Sequence, residues 1–177
     1  MELLTVGHGA QAAETFSARL TGAGIGLVVD IRRFPASRRH PQFGRVELAR
    51  WLPELDVAYR WEERLGGRRT GLPESPNAGL RNAAFRAYAD YMASTVFRAA
   101  LDELLRAAEQ VECAVMCAES LWWRCHRRLV ADAATLLHGV EVRHLMPDGR
   151  QQRHEPTPGA VVERGSVLYP PPQVSLL

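Results

Sequence analysis

Lysine is absent from this chain; all 22 of its basic residues are arginine. No lysine nucleophile, Schiff-base lysine or phosphate-loop lysine is available. Recognition of carboxylate or phosphate therefore falls to guanidinium groups, whose planar fork suits it. Cysteine is scarce: Cys113, Cys117 and Cys125 are the only three, and they sit in one region. An odd, clustered set is no disulfide framework, and it points to a reducing, cytoplasmic setting. Long apolar runs are missing as well. No stretch approaches the roughly 18 apolar residues of a membrane span. The start, Met1-Glu2-Leu3-Leu4-Thr5-Val6, has neither the basic region nor the apolar run of a signal peptide. Excess charge is also lacking, since the formal net charge is only +2, so no overall polycation exists to hold nucleic acid. What is present is an ordinary globular composition, 46% hydrophobic over 177 residues, enough for one domain with a real core.

Apolar runs mark the elements. Leu3 to Val6 ends at Gly7-His8-Gly9, a strand-to-loop signal, and Phe16, Leu20 and Ala23 follow at helical spacing. Ile25 to Ile31 runs without alternation into Asp30-Ile31-Arg32-Arg33, as a strand buried on both faces does. A Pro- and Arg-rich loop, a helix over Val46 to Leu55 and a strand over Val57 to Trp61 come next, then an irregular excursion from Gly66 to Leu80. Ala83 to Gln110 reads as helix with a break at Ser94-Thr95, where Thr95 can cap a new helix. A strand ending at Cys117 leads to a helix from about Trp123 to Leu137, stopped by Gly139, and to a last strand from Val140 to His144. This order predicts a three-layer α/β fold, Rossmann-like, with a mainly parallel sheet and helices on both faces. One domain is expected over residues 1–150. Residues 151–177, polar and ending near Pro170-Pro171-Pro172, are expected to be a poorly ordered or loosely docked tail.

In a parallel sheet all carboxyl ends of strands share one edge, where open α/β sheets bind ligands. The polar residues that follow the apolar runs are His8, Asp30 with Arg32 and Arg33, Cys117 with Glu119, and His144. A shared pocket explains this better than coincidence. Cys117 is the prime candidate, because a thiol at a strand end near a helix start and near Arg124 and Arg127 has its thiolate stabilised. His126, in the first turn of the predicted helix, is the candidate base. Cys125 stands four residues before Leu129 and is expected on the buried helix face; Cys113 is placed in the core. Trp122 and Trp123 are either packing residues or a wall for stacking a base. His40, His138 and His154 read as surface residues. Six residues separate Cys117 from Arg124, one more than in the phosphate loop of cysteine-dependent phosphatases, which argues against that chemistry. A Cys/His metal set of Cys117, Cys125, His126 and His8 is conceivable. No spacing matches a zinc finger and Cys125 is expected to face the core, so no metal is expected. No cofactor is indicated.

Thr5-Val6-Gly7-His8-Gly9, then Asp30-Ile31-Arg32-Arg33-Phe34-Pro35 with Ser37, Arg38 and Phe43, then Cys117-Ala118-Glu119 and Cys125-His126-Arg127 resemble the bacterial and archaeal family called domain of unknown function 488. The likeness covers residues 3 to 150. Such proteins usually carry Ser where this chain has Gly9, and often a Pro between the positions of Glu119 and Cys125, where this chain has Leu121-Trp122-Trp123. The resemblance implies the fold and the site; the family name implies no reaction.

Two enzymatic readings and one binding reading follow. In the first, the protein acts on a nucleotide or nucleic-acid base and cleaves an N-glycosidic bond. Glu119 is then the acid/base carboxylate, Arg32 and Arg127 hold phosphate, and the Trp pair stacks on the base. In the second, Cys117 is a nucleophile assisted by His126. In the third, the Arg32–Arg45 loop binds nucleic acid or another anion without turnover. The carboxylate reading is the expectation; a His126 within hydrogen-bond reach of the Cys117 sulfur reverses the order. The full expected site is Cys117, Glu119, His126 and His8 as reacting groups, with Asp30, Arg32, Arg33, Arg38, Trp122, Arg124 and Arg127 around the substrate. The expected partners are a nucleotide, nucleic acid or other anionic ligand, and no membrane.

Overall fold

The computed structural model describes residues 1–36 and 38–172. Its centre is a six-stranded sheet in the order β3-β2-β4-β1-β5-β6. The strands are β1 (Glu2–Gly7), β2 (Leu27–Asp30), β3 (Ala58–Trp61), β4 (Cys113–Cys117), β5 (Glu141–Leu145) and β6 (Gln151–Arg153). All neighbours run parallel except β6, which returns antiparallel along β5. The expected fold class is what the chain adopts. Helices α1 (Ala13–Gly22) and α2 (Arg45–Trp51) cover one face; α3 (Ala83–Met92), α4 (Thr95–Ala108) and α5 (Arg127–His138) cover the other.

The period-two geometry of a strand divides the core. In β4, Ala114 and Met116 pack with Phe16, Leu20 and Leu48 on the first face. Cys113, Val115 and Cys117 point the opposite way, toward α3, α4 and α5. Cys117 therefore faces the N-terminus of α5 because it is two residues on from a core valine. The register Gly7↔Cys117 places the ends of β1 and β4 side by side. Gly7 is required there, since a Cβ on it would lie 2.0 Å from the Glu119 carbonyl oxygen.

Helix boundaries follow local chemistry. Asn82 caps α3 by accepting from the Ala84 and Phe85 amides, and Ser94, rather than the expected Thr95, caps α4 by accepting from Phe97 N. Gly139 ends α5 in the left-handed region at φ 65°, as expected. One boundary differs in a way that matters. The predicted Trp123–Leu137 helix is instead a 3-10 turn over Trp122–Arg124, an extended Cys125 (φ −123°, ψ 149°) and a helix that starts only at Arg127.

The expectation of a loosely held tail is corrected for residues 151–172. β6 extends the sheet, β7 (Val161–Glu163) and β8 (Ser166–Leu168) form a hairpin, and Val167 and Tyr169 are buried in the main core. The fastener is Asp132 of α5, wholly buried. It accepts from Thr157 N and Oγ1 at 2.8 and 2.6 Å, from Tyr169 Oη at 2.8 Å and from His154 Nε2 at 2.9 Å. His154 is thus a buried structural residue and not a surface one. Its Nδ1 accepts from His144 Nε2 at 3.0 Å, and His144 Nδ1 accepts from Thr5 Oγ1 at 2.7 Å. A composition-based reading sees the prolines of this segment but not the single carboxylate that collects its polar groups. Residues 173–177 lie outside the described residues.

Candidate active site

A pocket of about 540 Å³ opens at the carboxyl ends of β2 and β4. Its walls are the segment after β2 (Arg32, Arg33, Phe34), the segment after β4 (Cys117 to Glu119) and the run Arg124-Cys125-His126. Gly67 with Arg68, and Phe85 with Tyr88 on α3, close it. This is the edge at which parallel sheets place ligand sites, and β2 and β4 send their connections to opposite faces.

The floor is a cluster of two thiols and one imidazole. His126 Nδ1 lies 3.7 Å from Cys125 Sγ and 4.0 Å from Cys117 Sγ. Its Nε2 lies 3.2 Å from the Ile31 carbonyl oxygen, which can only accept. Nε2 therefore carries the hydrogen, and the Nδ1 lone pair is directed at the sulfurs. The Tyr88 ring packs against the imidazole, with centroids 5.0 Å apart. Tyr88 in turn is fixed by donating to the Leu65 carbonyl at 2.6 Å. Cys125 was expected on the apolar helix face. It faces the pocket because its extended backbone places it ahead of the helix, so the spacing to Leu129 does not apply.

The thiols act on each other. The hydrogen bond to Cys125, then burial, push the Cys117 thiol well above its ordinary range. Burial also opposes ionisation of Cys125, but the bond received from Cys117, His126 and Arg127 outweigh it and bring Cys125 well below. The pair thus favours one thiolate, centred on Cys125.

Arg127 was expected to hold substrate phosphate and does not line the pocket. It is 1% exposed, and its Nη2 donates to the carbonyls of Glu119 and Ser120, bracing the loop after β4. It forms no ion pair with a carboxylate among the described residues, and its Nε has no partner. A buried guanidinium in that position stabilises negative charge on the neighbouring sulfurs.

His8 is likewise one layer behind the pocket. Its Nδ1 donates to the Gly9 carbonyl at 2.8 Å, and its Nε2 accepts from Arg32 Nη1 at 3.2 Å. It stacks on Phe43, with centroids 4.3 Å apart. Burial, then the charge of Arg32, lower its pKa to about 4. Asp30, wholly buried, receives Arg32 Nε at 2.8 Å, Arg32 Nη2 at 2.6 Å and Tyr59 Oη at 2.7 Å. Asp30 and His8 thus position Arg32 and do not reach the pocket themselves.

A family model, Domain of unknown function DUF488, matches residues 12–134. The chain belongs to that family. No curated protein and no solved structure matches it. The DUF488 match runs from before α1 into α5, so it takes in Arg32, Cys117, Glu119, Cys125 and His126, and leaves out His8 and the C-terminal strands.

Other expected residues of this DUF488 chain divide clearly. Glu119 lines the pocket, where its Oε1 accepts from Leu121 N at 3.2 Å. Arg33 and Arg124 line it too. Arg38 is exposed outside it, and Ser37 falls outside the described residues. Trp122 is turned away: it stacks on His144 at 4.0 Å between centroids. The tryptophan wall expected for base stacking is therefore absent from this pocket, and the aromatic surface is supplied by Phe34, Phe85 and Tyr88. Sequence reasoning missed that surface. Phe85 and Tyr88 stand three apart and share a helix face, but the spacing does not say which sheet edge that face meets. No helix among the described residues is long and apolar enough to cross a membrane.

Proposed function

We propose that the protein is an enzyme acting on a small anionic molecule, a phosphate ester such as a nucleotide, through the thiol pair Cys117–Cys125. The observation that carries this reading is the placement of His126, whose Nδ1 faces both sulfurs while its Nε2 is tied to the Ile31 carbonyl. An imidazole so held accepts a thiol proton and leaves a thiolate beside the resulting cation. Arg127 supports the same charge from behind. The thiolate attacks the electrophilic centre of the substrate, the bond to the leaving group breaks as the imidazolium protonates that group, and water then displaces the sulfur, with its proton returned to the pair. Arg33 and Arg124, exposed at the pocket mouth, suit the anionic part by charge-assisted hydrogen bonds, while Arg32, held by Asp30 and His8, forms part of the wall. Phe85 and Phe34 suit a planar or apolar part.

This reverses the preference for a carboxylate-centred glycosidic reaction. That reading needed a tryptophan wall and Arg127 as a phosphate ligand, and both are engaged elsewhere. Glu119 remains in the pocket and keeps the alternative testable. The decisive experiment screens nucleotides and other phosphate esters for turnover, then repeats the assay with Cys117→Ser, Cys125→Ser and Glu119→Gln. Loss of turnover in both serine variants, with folding intact, supports the thiol reading. Turnover that survives both and is lost with Glu119→Gln returns the carboxylate reading to first place.

A further inference from the structure

Cys117 Sγ, Cys125 Sγ and His126 Nδ1 all lie within 4.8 Å of one another. A tetrahedral zinc ion bound at about 2.3 Å to sulfur and about 2.0 Å to nitrogen sets its ligand atoms roughly 3.5–3.8 Å apart. The two sulfur–nitrogen distances, 3.7 and 4.0 Å, already approach this, and the two sulfurs, within 4.8 Å of each other, close the set by drawing together on the ion. We propose that these three side chains bind one zinc-class divalent ion, with its fourth coordination position open to the pocket.

Four features of the site converge on this. Two thiolates and an imidazole are the donor set that soft and borderline ions take. His126 donates its other ring nitrogen to the Ile31 carbonyl, the outer contact that fixes the tautomer and aims Nδ1 as a ligand. Cys125, in extended backbone ahead of the helix, lines the pocket with its sulfur 3.7 Å from the His126 Nδ1. Arg127, buried without a carboxylate partner, favours the deprotonated sulfurs that ligation requires. His8 is not part of the set, because its free lone pair is committed to Arg32.

Binding is a proton exchange. The ion displaces whatever protons the two sulfurs and the imidazole Nδ1 still hold, these leave to solvent, and no oxidation state changes. Two thiolates neutralise the ion, so the grip on an anionic ligand still comes from the arginines. Three protein ligands with an open position are the arrangement of reactive zinc sites, whereas structural sites are closed by four. An ion held there would engage both sulfurs as ligands, so the thiolate attack proposed above belongs to the metal-free chain. The inference rests on the proposed function only for the use of that position; ion binding itself is read without substrate.

The test uses the full chain, reduced and stripped with a chelator, titrated with cobalt(II). The expected result is saturation at one ion per chain, with the visible bands of a tetrahedral cobalt and a sulfur-to-cobalt charge-transfer band, both displaced by zinc. Cys117→Ser and Cys125→Ser should each weaken binding on the order of 100-fold or more, and Cys113→Ser should bind as the parent does. Because serine in a buried site can disturb packing, the unmodified protein gives a second readout: one equivalent of zinc should block iodoacetamide at both Cys117 and Cys125, read by mass spectrometry. Absence of saturable binding, a six-coordinate spectrum without the charge-transfer band, or no protection overturns the inference. If that occurs while the serine variants still abolish turnover, the thiol function stands with free sulfurs. If the ion binds and no phosphate ester is turned over, the ion site stands and the proposed function falls.

Discussion

Arg32 Nη1 lies 3.2 Å from His8 Nε2, so a buried imidazole accepts a hydrogen bond from a buried guanidinium. The contact holds only while His8 is neutral. In the folded chain its pKa is lowered from 6.5 to about 4, by burial first and the Arg32 charge second, with His40 acting the same way and Asp30 opposing. The unfolded chain therefore binds more protons in this range, and the stability His8 contributes is present above about pH 6.5 and lost as pH falls toward about 4. Between about pH 7.5 and about pH 5 the loss amounts to about 2 kcal/mol. Urea unfolding of the parent and of His8→Gln at the two pH values checks it. The variant keeps an acceptor for Arg32 and should lose about 2 kcal/mol less on acidification. His144, lowered to about 3 mainly by burial, adds its own share of acid loss to both proteins. Equal losses in the two proteins would show that His8 is not the titrating group.

The Asp132 hub yields a second prediction. Four hydrogen bonds converge on this wholly buried carboxylate, all from donors in the C-terminal segment. Asp132→Asn puts amide hydrogens against donor groups and should cost about 3 kcal/mol. The loss should be local before it is global. Hydrogen exchange over residues 154–169 should accelerate far more than over β1 and β4, and that segment should be cleaved first by protease. Tyr169→Phe, which removes one donor, should cost about 1 kcal/mol. Uniform acceleration across the sheet would mean the segment is part of one cooperative unit with the core.

These two networks mark where the amino-acid pattern is informative and where it stops. The sheet was legible because Ile25 to Ile31 lacks alternation, as a strand covered on both faces does, and because a second apolar run of strand type ends at Cys117. The pocket edge was legible because strand ends in a parallel sheet must lie together. The layer behind the pocket was not. Whether His8 and Asp30 touch substrate or merely Arg32 depends on a few ångströms of depth, which spacing does not encode. Cys125 was misplaced for a different reason: helical periodicity was extended over a residue that the 3-10 turn leaves extended. His154 looked exposed because its partner, Asp132, is 22 residues away in sequence.

Arg127 separates a structural from an electrostatic role. It braces the Glu119 and Ser120 carbonyls, and its charge opposes the rise at the Cys117 thiol and adds to the fall at the Cys125 thiol. Arg127→Gln should therefore destabilise the fold by about 2–3 kcal/mol, the cost of breaking charge-assisted bonds in the interior. It should also slow iodoacetamide labelling of the metal-free pocket thiols severalfold under conditions where the fold is retained. A variant that is less stable but labels at the parent rate would confine Arg127 to bracing the loop.

Trp122 tests the revised shape of the site. If a base stacked on it, truncation would cost about 1–3 kcal/mol of nucleotide binding. Its ring is instead spent on His144 at 4.0 Å and makes an edge contact with His154 at 5.5 Å. Trp122→Ala should therefore leave nucleotide affinity within about twofold of the parent. It should lower stability by about 3 kcal/mol, the scale of removing a packed aromatic side chain. Phe85→Ala should do the reverse, because Phe85 lines the pocket and is only half-buried. Affinity for a nucleotide should fall about tenfold while affinity for inorganic phosphate, which has no ring to pack, stays unchanged. Isothermal titration of the three proteins with both ligands decides it. If Trp122→Ala weakens the nucleotide and Phe85→Ala does not, the ligand lies over the 3-10 turn and outside the pocket between β2 and β4.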